Sequence, residues 1–152
     1  MPRLLTIGAG LALVTLAASI IVPDYRHATN RIAQKRTMAD MRSIATAWEA
    51  RANDVHSYAV APHKGPVTTT ELARALEPKY IRKLPHVDGW GAEYQLTAGD
   101  YDAEGHAETY TIRSLGSDHK SDRADASGAT SRFASDIIYS NGSFVQYPEE
   151  AG

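Results

Sequence analysis

Hydrophobic and polar positions divide this chain unevenly. From Leu4 to Val22, nineteen consecutive residues carry no charge and include no Asn or Gln, a run long enough to cross the hydrocarbon core of a bilayer as one helix. A removable signal peptide is the competing reading, but its apolar core covers only about 7–15 residues and ends at a small-residue cleavage motif. Here Ala17-Ala18-Ser19 lies inside the run, with Ile20-Ile21-Val22 still to follow, so residues 1–23 are expected to form a retained transmembrane anchor. From Asp24 to Val55 there is neither glycine nor proline, which predicts an uninterrupted helix. Within it Met38, Met41, Ala45, Trp48, Ala52 and Val55 recur at steps of three and four and define one apolar stripe. Ahead of Met38 the helix is almost wholly polar, with Arg26, His27, Asn30, Arg31, Gln34, Lys35 and Arg36. The pattern predicts a spine over residues 24–57. Its first half would stand free or pack on other copies, and its second half would lie on a globular head (residues 58–148).

Shorter elements follow. Pro62, Gly65 and Pro66 mark residues 56–66 as a loop. Thr68 through Leu76 reads as a short helix, because Thr68 and Glu71 have the spacing of a capping box that satisfies orphan amides at a helix start. The turn-rich stretch from Leu84 to Gly91 presents Trp90, expected as a lid on the core. Glu93 to Thr97 is a short strand candidate, and Glu108 to Ser114 alternates Tyr110 and Ile112 against Thr109, Thr111 and Arg113. Asp136 to Ser140 and Ser143 to Tyr147 flank Asn141-Gly142, a hairpin signal because a type I′ turn needs positive φ at both central residues. A polar loop is expected from Gly116 to Ser135, and a flexible tail at residues 149–152. The fold class is thus α+β: a long spine helix on a small antiparallel sheet, with a short second helix.

Composition narrows the chemistry. With 152 residues, 43% hydrophobic and 22% charged, the chain has enough apolar content for one small folded head beside the spine. A net charge of −2 gives no electrostatic reason to propose nucleic acid as a partner. The absence of cysteine excludes disulfides, thiolate metal sites and a cysteine nucleophile. Six histidines (His27, His56, His63, His86, His106 and His119) form no i, i+4 pair, and neither a Gly-x-Ser-x-Gly elbow nor a glycine-rich phosphate loop is present. Nothing in the sequence points to an enzyme. Arg31, Lys35 and Arg36 could touch anionic lipid headgroups, and the alternatives are a solvated helix face or contacts with neighbouring spines. Charge alone leaves the orientation of an anchor open.

Several short motifs, in order, resemble one family. Leu16-Ala17-Ala18-Ser19-Ile20-Ile21-Val22-Pro23 is similar to an apolar run ending in Val-Val-Pro, and Val67-Thr68-Thr69-Thr70-Glu71 resembles Pro-Thr-Thr-x-x-Gly-Leu. Residues 78–85, Pro-Lys-Tyr-Ile-Arg-Lys-Leu-Pro, resemble Gly-x-Tyr-Ile-x-x-Leu-Pro, and Asp88-Gly89-Trp90-Gly91 resembles Asp-Pro-Trp-Gly. Ser114-Leu115-Gly116-Ser117-Asp118 is similar to Ser-Leu-Gly-Ala-Asp, and Ser135-Asp136-Ile137 to a terminal Ala-Asp-Ile. These are motifs of the major (G-type) pseudopilins of type II secretion, within the type IV pilin-like class. The resemblance implies a pilin-like fold, no enzymatic activity, and a single-pass inner-membrane protein with its head in the periplasm. It also implies a structural role in protein export, with other pseudopilin subunits, copies of this chain, membrane lipid and an inner-membrane secretion platform as partners. Thr6 stands where the family carries a glutamate. That residue keeps a second reading open: a membrane-anchored or secreted binding module of the same fold that does not polymerise. Finally, the resemblance implies a structural calcium in the loop after the second long strand. Asp118 and Asp136 match its carboxylates, with the carbonyls of Leu115 and Ser117 beside them. Asp122 or Asp125 could stand in for a further family aspartate, which is Ala134 here, and a solvated acidic loop without an ion is the alternative.

Overall fold

Helix α1 runs Pro2–Val55, 54 residues in all, which at 1.5 Å per residue is about 80 Å of rod. The structure is a computed structural model that describes residues 2–123 and 127–149, with side chains from residue 25 onward. The apolar stripe of α1 is the centre of the core: Met41, Ile44, Ala45 and Trp48 have almost no exposed surface. Trp48 lies against Tyr110 with ring centroids 5.2 Å apart, Tyr110 against Tyr58 at 4.7 Å, and the Trp48 indole N–H donates to the Tyr58 carbonyl at 2.9 Å. Val55 ends the stripe without joining the core and is 43% exposed. The next residue, His56, takes φ 55, which turns the chain out of the helix.

Past α1 the chain forms β1 (Gly65–Val67), α2 (Thr69–Leu76), β2 (Gln95–Tyr101), β3 (Ala107–Ser114), β4 (Gly128–Thr130), β5 (Ile137–Ser140) and β6 (Ser143–Pro148). The strands form one six-stranded sheet in the order β1-β2-β3-β5-β6-β4. All pairs are antiparallel except β4 with β6, which is parallel. The class is therefore α+β, a long helix packed on a mostly antiparallel sheet. The alternation read in β3 holds, since Tyr110 and Ile112 point into the core opposite Ala98 and Leu96 of β2. The capping box of α2 is present in both directions: Thr68 Oγ1 accepts from the Glu71 amide at 3.1 Å, and Glu71 Oε2 accepts from the Thr68 amide at 2.9 Å. Asn141 (φ 46) and Gly142 (φ 88) form the expected tight turn between β5 and β6. Strand β2 is displaced from the candidate at 93–97, beginning at Gln95 and running to Tyr101, while β1 starts in, and β4 lies within, segments that read as loops. Each of these two edge strands has only three residues and contains glycine, so neither offers a period to detect.

Two expectations about α1 are corrected. Its first half does not stand free up to Met38. Ala33 and Thr37 are buried, Asn30 Oδ1 accepts from the Trp90 indole N–H at 2.9 Å, and His27 meets Phe133 edge to face at 4.9 Å. The close approach depends on Gly89. Its amide donates to Thr37 Oγ1 at 2.8 Å, and a Cβ there would fall 2.1 Å from the Ala33 carbonyl oxygen. This docking is made by polar groups and one glycine, so hydrophobic periodicity does not report it.

The second correction concerns localisation. A single-pass inner-membrane protein with a periplasmic head is not supported: among the described residues no helix is long and apolar enough to cross a membrane. The side chains of α1 described ahead of the core include Arg26, Arg31, Lys35 and Arg36, all exposed, and such a basic stretch is costly in hydrocarbon. The apolar run of residues 4–22 on which the anchor at 1–23 rested lies outside the described side chains. The tail is tied at Glu149, whose amide donates to the Thr130 carbonyl at 3.0 Å, and residues 150–152 lie outside the described ones.

Candidate functional site

The loop that leaves β3 is built on a buried serine and a buried aspartate. Ser114 Oγ donates to Asp88 Oδ2 at 2.6 Å, while Asp88 Oδ1 accepts from the Trp90 and Ala92 amides, each at 2.9 Å. One aspartate thus closes the Trp90 turn and fixes it to the end of β3. After Leu115 the chain makes a 3-10 turn over Gly116–Asp118. Gly116 has φ 64, and a Cβ there would meet the Ser135 and Phe133 carbonyl oxygens at 2.6 and 2.8 Å, so only glycine fits. The Ser117 amide donates to the Phe133 carbonyl at 2.8 Å, which draws the two ends of the loop together.

Asp136 lies at the far end, fully buried. It and Asp122 brace each other: the Asp122 amide donates to Asp136 Oδ2 at 3.1 Å, and the Asp136 amide donates to Asp122 Oδ2 at 2.9 Å. Gln146 Nε2 donates to the same Asp122 oxygen at 3.0 Å, and Arg113 Nη1 stands 3.4 Å from Asp136 Oδ2. Burial raises the Asp136 pKa, the Asp122 amide and Arg113 offset that in part, and the neighbouring Asp122 and Asp118 charges add to the rise. Asp136 Oδ1 and Gln146 Oε1 are buried with no hydrogen-bond partner, a cost of about 1–3 kcal/mol for each such group.

Of the expected ligand set, the structure buries Asp136 and leaves Asp118 exposed on the 3-10 turn, its Oδ1 accepting from the Lys120 amide at 3.0 Å. Ser117 belongs to that turn and Leu115 precedes it. Asp125 lies outside the described residues. Sequence reasoning assigned no role to Gln146 or Arg113, and nothing in their spacing marks them, because the sheet brings them from β6 and β3. The orphaned oxygens of Asp136 and Gln146 are hard donors of the kind calcium takes. Among the described residues the three Asp, Glu or His side chains whose ligand atoms approach within 4.8 Å of one another are Asp102, Glu104 and His106. They sit on the β2–β3 turn, where His106 Nδ1 is 2.9 Å from Asp102 Oδ2.

The other distinctive surface is on α1 below the head. Tyr25 and Ile32 are 72% and 70% exposed and lie about two turns apart on one side of the helix. Depressions flank them. One of about 410 Å³ is lined by His27, Ala28, Arg31 and Ile32, and another of about 350 Å³ by residues including Tyr25, Thr29, Asn30 and Trp90. Where α1 meets β4, a cavity of about 120 Å³ lies between His27, Gln34, Thr130 and Phe133, below the roughly 300 Å³ at which small-molecule sites begin. No protein-family model matches the chain, and neither does any curated protein or solved structure.

Proposed function

We propose that this chain is a pseudopilin-like structural subunit that works by packing its long helix against neighbouring subunits in a protein-export assembly. The observation that carries the reading is the exposed helix face. A rod of 54 residues ends in a well-packed head, yet presents Tyr25 and Ile32 to solvent on the stretch nearest the head. Large apolar side chains grouped on one helix face mark a surface that another helix covers. Beside this stands the motif resemblance that runs through most of the chain. Calcium, if bound, would be held by Asp136 and Gln146 with Asp122 beside them, and would serve to brace the loop against β6. The second reading is a binding module of the same fold that does not polymerise, favoured by Thr6 in place of the family's glutamate.

Because the chain has no cysteine, single cysteines can be placed on the exposed face at Tyr25, Ile32 and Lys35. The structural-subunit reading expects crosslinked dimers from these positions, since one cysteine per chain joins two chains at most. Monomer alone at every position would contradict it and favour the second reading.

A further inference from the structure

Charge is distributed unevenly along the sequence, although Lys64 lies over the Tyr101 ring beside the acidic turn. Residues 25–39 of α1 carry Arg26, Arg31, Lys35 and Arg36 and no acidic side chain. Between Leu84 and Ile112 there are six acidic residues and neither Lys nor Arg. Four of these six, Asp100, Asp102, Glu104 and Glu108, are gathered at the β2–β3 turn. The turn lies beyond the other end of the helix, because the Tyr58 amide donates to the Ala107 carbonyl at 2.9 Å and the Ala107 amide to Ser57 Oγ at 3.0 Å. Lys35 precedes Val55 by twenty residues, which is about 30 Å along the axis. Basic stretch and acidic turn therefore cannot meet within one chain.

We infer that they meet between chains: the acidic β2–β3 turn of one copy docks on the basic, Tyr25- and Ile32-bearing face of α1 in the next. The occupant of the helix face is thus a second copy, chosen by charge complementarity, with Tyr25 and Ile32 supplying apolar contact and Lys35 and Arg36 facing Glu104 and Glu108. Two different patches are joined, so each copy keeps one of each free, and the contact propagates head to tail instead of closing as a dimer. Successive copies would be offset by about 30 Å along the helix, the spacing that separates the two patches. Arg36 already lies 3.5 Å from Asp40 of its own helix, an i, i+4 pair in which the arginine stays exposed, which leaves it available to a neighbour. This inference rests on the assembly reading above and adds which two surfaces carry it.

The test uses two variants of the full chain, one with Lys35→Glu and Arg36→Glu, the other with Glu104→Lys and Glu108→Lys. All four positions are exposed, and circular dichroism checks that each variant is folded. Sedimentation velocity reads the association. The expected result is assembly of the unaltered chain that weakens with added salt, and association roughly tenfold weaker for each variant alone, where like charges now oppose. An equimolar mixture of the two variants should recover assembly, because each then offers the other a complementary patch on both sides. If the unaltered chain assembles and both variants assemble equally well, the docking of turn on helix is wrong while packing of helices stands. Should the unaltered chain remain monomeric throughout, both the inference and the assembly reading fall.

Discussion

Asp136 is the residue whose environment has the most direct consequence. A carboxyl with its folded pKa raised holds its proton more tightly in the folded chain than in the unfolded one. Its contribution to stability is then fully present below the unfolded value, near 3.9, and is lost as pH rises through the raised folded value. Glu71 works in the opposite sense. The Thr68 amide and hydroxyl lower its pKa, so its contribution is present above the ordinary glutamate range and is lost as pH falls through the lowered value. Comparing the chain with Asp136→Asn isolates the first effect: the stability difference should move in favour of the variant as pH climbs from 3.9. Excess calcium at neutral pH should raise the melting temperature of the unaltered chain and leave Asp136→Asn unmoved. A melting temperature that is the same in calcium and in chelator would remove the ion from the loop. Asp136 was visible in the sequence as part of a motif, but its partners were not. Arg113 and Gln146 come from β3 and β6, on either side of β5, and only the sheet brings Arg113 to Asp136 and Gln146 to Asp122.

Among the elements, the contact between α1 and the Trp90 turn is the most exposed to a single change. Gly89→Ala would press a methyl group into the backbone of Ala33. Helix and turn must then separate, at about 3 kcal/mol, the upper end for overpacking. Chemical denaturation measures this, and a loss below about 0.5 kcal/mol would show that the turn does not sit on the helix as described. At α2, Thr68→Ala removes the cap on the Glu71 amide and should cost about 1 kcal/mol. An unchanged midpoint would contradict the cap. These two elements differ in how far they could be read beforehand. The cap was legible because a threonine and a glutamate three residues apart interact within one turn. The docking of residues 27–37 was not, since Asn30, Thr37 and Gly89 have no hydrophobic period and their partners lie more than fifty residues away in sequence. Edge strands β1 and β4 were missed for a related reason: three residues give no alternation, and their pairing is decided by β2 and β6.

For the molecule as a whole, the long helix and the sheet it lies on followed from periodicity, and the charge layout gives them a direction. A basic helix face at one end and an acidic turn at the other make the molecule polar along its length, which suits growth by repetition more than closure. The central claim is that the α1 face bearing Tyr25 and Ile32 is covered by another subunit. Disulfide crosslinking of a chain that carries Ile32→Cys together with Glu104→Cys measures this most directly, with Met41→Cys in place of Ile32→Cys as the control, since Met41 is fully buried against the head. A ladder of oligomers is expected from the pair that includes position 32 and none from the pair that includes position 41. Monomer from both pairs, in chains that circular dichroism shows to be folded, would contradict the claim.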